Sequence, residues 1–155
     1  MKSSSLETVA VREVEIRYRG RSLKAQTPVS SPEHFVHLAR RIVSDHAREH
    51  FIALYLDGRH RPAGHSVVSV GTATASLVHP REVFQSAILL GAVAVVIGHN
   101  HPSGDPRPSA EDQKITDRLA EAGSLLGVRV VDHVIWTRDG GYHSFLEQGT
   151  LSKAV

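Results

Sequence analysis

Ala92-Val93-Ala94-Val95-Val96-Ile97-Gly98-His99-Asn100-His101-Pro102-Ser103-Gly104-Asp105-Pro106-Arg107-Pro108-Ser109-Ala110-Glu111-Asp112 is the stretch on which the reading of the whole chain turns. Ala92 to Ile97 is apolar, rich in β-branched residues and too short to cross a membrane, which predicts a buried strand. His99 and His101 stand at its C-terminal end. Residues two apart on a strand point to the same side, so both imidazoles can converge on one point. Pro102, Pro106 and Pro108, with Gly104, then disfavour helix and sheet until Ser109. A helix can begin there, with Asp112 in its first turn.

Two imidazoles and one carboxylate leave a tetrahedral zinc ion one open position for water, the pattern of a catalytic site. The metal ligands expected on this reading are His99, His101 and Asp112. Plainer explanations exist for each part. A histidine pair at a strand end is often a surface or hydrogen-bonded pair. Ser109 to Asp112 also fits a helix cap, with Ser109 as N-cap and Asp112 at N3, and both roles can hold together. The combination favours the metal: a strand-end His-x-His, a rigid loop, and a carboxylate where a helix starts. Asp105 is an alternative ligand, disfavoured by the prolines around it. Without cysteine in the chain, any metal must be held by nitrogen and oxygen.

His99-x-His101-Pro102 followed by Ser109-x-x-Asp112 resembles the signature of JAMM (MPN-plus) metalloprotease domains. The longer run Gly98-His99-Asn100-His101-Pro102-Ser103-Gly104-Asp105-Pro106-x-Pro108-Ser109 resembles the RadC family within that group. Further RadC-like phrases are His79 to Phe84, Val130 to His133, and Glu49-His50-Phe51, so the resemblance runs from about Ser31 to the C-terminus. It implies a cytidine-deaminase-like α/β architecture and hydrolysis of a peptide or isopeptide bond. Deamination itself is disfavoured, because deaminases hold zinc with a Pro-Cys-x-x-Cys motif and this chain has no cysteine.

Zinc-assisted hydrolysis needs a general base to take a proton from water and return it to the leaving amine. Glu49, just before the apolar run that begins at Phe51, stands where the resemblance places the JAMM glutamate. Glu82 competes from the first turn of a predicted helix, where a favourable helix-dipole position also explains it. His50 is a third candidate. The resemblance also gives Ser109 a role in stabilising the tetrahedral intermediate, beside its role as a cap. Asn100 should face the opposite side of the strand and be structural. Asp132-His133 resembles a carboxylate–histidine pair behind a metal ligand, but neighbours on a strand face opposite ways, which makes it structural too.

The flanking sequence predicts one mixed sheet with helices packed on it, an α/β/α domain over residues 31–155 preceded by an N-terminal strand or hairpin extension over residues 1–30. In the extension, Val9 to Tyr18 and Ser22 to Gln26 read as strands. Ser31 as N-cap, Pro32 and Glu33 open a helix with Phe35, Leu38, Ala39, Ile42 and Val43 on one face. Phe51 to Leu56 and His65 to Gly71 pair around Asp57-Gly58, and Pro80 opens a second helix. The helix from Ser109 ends at Gly127. Val128 to Trp136 and Tyr142 to Phe145 are the last strands.

The net charge of +2 is unevenly spread. Residues 1–61 hold 11 Lys and Arg against 7 Asp and Glu, whereas residues 62–155 hold 7 against 9. Arg17, Arg19, Arg21 and Lys24 can touch nucleic acid, although a charged strand edge is the commoner meaning. The helix-hairpin-helix module that precedes the metal domain in longer RadC-like proteins has no counterpart here, so DNA binding through it is not expected. The polar start from Met1 to Leu6 is no secretory signal, and with the absence of cysteine it leads us to expect a cytoplasmic protein without a membrane partner. The first functional expectation is a zinc hydrolase acting on a peptide- or isopeptide-linked protein. The alternatives are a DNA-repair factor or metal-dependent nuclease, and a non-enzymatic interaction module.

Overall fold

A computed structural model describes residues 27–71 and 78–151; the expected strands between Val9 and Gln26 lie outside them. The elements run α1 (Pro32–Ile42), β1 (Glu49–Leu56), β2 (Pro62–Gly71), α2 (Pro80–Leu89), β3 (Ala94–Asn100), α3 (Ala110–Leu126), β4 (Arg129–Trp136) and β5 (Tyr142–Ser144). The strands form one mixed sheet in the order β2-β1-β3-β4-β5, with β3 and β4 parallel and the other neighbours antiparallel. This is the α/β architecture expected. Among the described residues, no helix is long and apolar enough to cross a membrane.

Strand alternation divides the core in two. Phe51, Ala53, Tyr55, Val95 and Ile97 face α2 and α3, packing on Val83, Phe84, Ile115 and Leu119. Ile52, Leu54, Val96, Val134 and Trp136 face α1, packing on Phe35, Leu38 and Ala39. The central strands β1 and β3 are covered on both faces, which is why they read as continuous apolar runs. Gly98 admits α1 closely. A Cβ there would lie 2.6 Å from the Phe35 ring and 2.6 Å from the Val134 carbonyl oxygen.

The helices begin and end on local signals. Ser31 caps α1 by accepting from the His34 N–H, and Pro32 occupies the first turn, where its missing N–H costs nothing. Gly127 ends α3 at φ 71°, a left-handed conformation that a side chain would strain. The β3–α3 connection therefore leaves the C-terminal end of β3 and returns a helix N-terminus over it. That geometry makes the site.

Candidate metal centre

His99 and His101 arrive from β3 as expected, although the strand ends at Asn100 and His101 lies one residue beyond it. The backbone keeps its course, because the His101 N–H donates to the Trp136 carbonyl at 2.9 Å. The two rings meet with Nε2 atoms 2.9 Å apart. His101 Nδ1 lies 2.8 Å from the Asp105 carbonyl oxygen, which can only accept, so that nitrogen carries a proton and a neutral ring presents a bare Nε2.

Glu49 comes from the neighbouring strand. Phe51 pairs with His99 in antiparallel register, so Glu49, two residues earlier and on the same face, reaches past His99. Its Oε1 is 3.7 Å from His99 Nε2. Glu49, His99 and His101 each offer one donor atom, all within 4.8 Å of one another, and this set can hold a metal ion. Asp112 closes the site from α3. Its Oδ1 is 3.2 Å from His99 Nε2, and its Oδ2 is 3.6 Å from His101 Nε2.

Ser109 and Asp112 form a complete capping box. The Asp112 N–H donates to Ser109 Oγ at 3.1 Å, while the N–H and hydroxyl of Ser109 both donate to Asp112 Oδ2 at 2.7 Å. Oδ2 is thus held by the cap while still 3.6 Å from His101, and Oδ1 is left free of the cap to face His99. The cap and the site are one piece of geometry.

The electrostatics favour positive charge at this point. Burial pushes the Asp112 carboxyl up, but the hydrogen bonds with His101 and His99 outweigh it and hold the group well below the usual carboxylate range. The same contact with Asp112 raises His101 against the opposing effect of burial. The arrangement combines nitrogen and oxygen donors with a fixed anion, and its donor set fits a zinc-class ion.

The other residues singled out from the sequence separate clearly. Glu82 is exposed on α2, with its carboxylate 4.0 Å from Arg81. His50 points its Nδ1 at the Arg48 carbonyl, 3.0 Å away. Asp105 spends its carboxylate on the Arg107 guanidinium, which lowers it to about 2, and serves the site through its backbone carbonyl. Asn100 has the opposite-face, structural position expected. It accepts from the His50 N–H at 2.8 Å and donates to the Arg48 carbonyl at 2.9 Å, clamping the backbone on both sides of Glu49.

Asp132 and His133 do face opposite ways. Asp132 accepts from the Ser144 hydroxyl and the Leu146 N–H, on the side away from the imidazoles. His133 was expected to be structural, yet its Nε2 lies 2.9 Å from His99 Nδ1. Its Nδ1 lies 2.6 Å from the Thr116 hydroxyl. Burial drives this imidazole well below its ordinary value, so it is neutral. Sequence reasoning missed this link, and missed Thr116 entirely. The available signal was a histidine inside the apolar run from Val130 to Trp136, which needs a buried polar partner.

Comparison with known proteins gives a consistent picture. A family model described as RadC-like JAB domain matches residues 29–150. The chain is 44% identical over 146 residues to a UPF0758 protein of Geotalea uraniireducens, covering 92% of this chain and 62% of that relative. It is 45% identical over 150 residues to a UPF0758 protein of Syntrophotalea carbinolica, covering 96% and 65%. A UPF0758 protein of Methanosarcina mazei is 40% identical over 148 residues, covering 96% and 64%. The chain thus spans a little under two thirds of the length of these curated relatives.

Proposed function

This chain belongs to the RadC-like JAB domain family, and from that premise we propose that it is a zinc-dependent hydrolase of peptide or isopeptide bonds. The observation that carries the reading is the approach of Asp112 Oδ1 to His99 Nε2 at 3.2 Å, beside two imidazole Nε2 atoms only 2.9 Å apart. His99, His101 and Asp112 hold the ion, with Ser109 fixing the carboxylate. When bound, a zinc-class ion acidifies water toward a pKa of about 7 and polarises a carbonyl.

Glu49 is the general base on this reading, and its greater distance of 3.7 Å from His99 Nε2 supports a place beside the ligands. Its carboxylate takes one proton from the attacking water as the oxygen bonds to the acyl carbon. The C–N bond then breaks, and Glu49 delivers that proton to the departing nitrogen, giving a carboxylic acid and an amine. Ser109 donates to the developing oxyanion, its hydroxyl turning from Asp112 Oδ2 to do so.

The test is hydrolysis of a panel of peptide and lysine-isopeptide substrates by metal-stripped and zinc-restored protein. Cleavage that disappears with chelator and returns with zinc supports the reading. Cleavage that is indifferent to both, or zinc-restored protein inert toward the whole panel, contradicts it.

A further inference from the structure

Behind His99, on the side away from the converging donors, runs a chain of hydrogen bonds that begins and ends in the site. His133 is completely buried, and its ring stacks on Phe145 at 4.8 Å with planes 7° apart. Both its nitrogens are engaged, by His99 on one side and Thr116 on the other. We infer that His133, held by Thr116, is a positioning residue that dictates which nitrogen of His99 carries the proton and so keeps His99 Nε2 bare for a metal ion. The inference rests on the reading of His99 as a ligand.

One carbonyl sets the direction of the whole chain. The Asp112 backbone oxygen lies 2.6 Å from the Thr116 hydroxyl and can only accept, so the single hydroxyl proton points to it. Thr116 Oγ1 must then accept from His133, 2.6 Å away, which places the His133 proton on Nδ1. A neutral imidazole with its proton on Nδ1 has a lone pair on Nε2. That lone pair accepts from His99 Nδ1 at 2.9 Å, which makes Nε2 the nitrogen that a neutral His99 offers to a metal ion. Phe51, stacked on His99 at 5.8 Å and 13°, holds the ring in the plane this chain requires.

The starting point is not an arbitrary carbonyl. It belongs to Asp112, whose carboxylate faces the same His99 from the other side. The first turn of α3 therefore controls two donors at once: Asp112 Oδ1 through the cap, and His99 Nε2 through Thr116 and His133. A metal-binding imidazole commonly gives its second N–H to a carboxylate, a carbonyl or water. Here a neutral, buried imidazole takes that part. It orients His99 without adding a negative charge to those of Glu49 and Asp112.

The test has two readouts. Imidazole nitrogen NMR on isotope-labelled, metal-stripped wild type should show His133 protonated on Nδ1 and not on Nε2, with a proton on His99 Nδ1. Zinc affinity, measured by competition with a chelating dye, should fall about 10- to 100-fold in Thr116→Val and His133→Leu. Thr116→Ser keeps the hydroxyl and His133→Gln keeps an acceptor for His99, so both should bind within a few-fold of wild type by the same reasoning. A His133 proton on Nε2 in the stripped wild type overturns the inference. So does a folded Thr116→Val that binds zinc as tightly as wild type. If that variant does not fold, the wild-type tautomers still decide. Wild type that binds no zinc contradicts the proposed hydrolase instead, and leaves the tautomer result to stand or fall by itself.

Discussion

Glu49 and Asp112 both approach His99 Nε2, at 3.7 and 3.2 Å, and on the proposed function they serve as base and ligand. Glu49→Gln removes the base and keeps the shape, so it should retain zinc while turnover falls by about 100-fold or more, as measured by single-substrate kinetics beside metal analysis. Loss of zinc in that variant would make Glu49 a ligand. Asn100 belongs to the same scale. It holds the Arg48 carbonyl and the His50 N–H, the two backbone groups flanking Glu49. Asn100→Ala takes the side-chain acceptor from the His50 N–H and leaves the Arg48 carbonyl only the His50 ring, and should cost about 1–3 kcal/mol by denaturant unfolding. Its kcat should fall while zinc affinity holds, because the residue steadies the base and touches no ligand atom. Asn100 was legible as structural from strand alternation alone. What it grips was not, since a sequence does not show which strand lies beside β3.

At the scale of elements, α1 lies against β3 only because residue 98 lacks a side chain. Gly98→Ala brings a Cβ to 2.6 Å from both the Phe35 ring and the Val134 carbonyl, and the carbonyl cannot swing aside. The variant should lose about 1–3 kcal/mol, read as a lowered melting temperature. Adding Phe35→Leu should not restore it, because the backbone clash remains. The elements themselves were readable. Among the described residues, Ser31-Pro32, Pro80 and Ser109 open the helices, and Gly127 closes the last at a left-handed φ. Strand limits moved more. β2 starts at Pro62 where alternation suggested His65, and β3 runs on to Asn100, because pairing with β1 and β4 extends past the apolar residues. Motif and period together brought His99, His101 and Asp112 to one place, whereas Glu49, which shares with His99 and His101 the group able to hold a metal, arrives through the pairing of β1 with β3. The His133–Thr116 link was not legible, since it joins residues of β4 and α3 that meet only through the packing of that helix on the sheet.

For the molecule as a whole, the buried neutral His133 links stability to acid. Its folded value lies well below the ordinary 6.5, so an unfolded chain binds a proton there that the folded chain refuses. This contribution is fully present above the unfolded value and is lost progressively as pH falls from about 6.5 toward the depressed folded value. His101 acts in the opposite sense, since Asp112 raises it. The difference between wild type and His133→Gln isolates the first effect. In metal-stripped protein, the melting temperature of wild type should fall more steeply than that of the variant between about pH 7 and about pH 5. Parallel slopes would mean that His133 takes up its proton in the folded state.

The proposed function requires that His99, His101 and Asp112 together hold a zinc-class ion. Elemental analysis of the purified wild type beside Asp112→Ala, both prepared without affinity histidines and incubated with zinc, tests it most directly. About one zinc per wild-type chain and little in the variant are expected, with both folded. No zinc in either protein, or equal zinc in both, would contradict it.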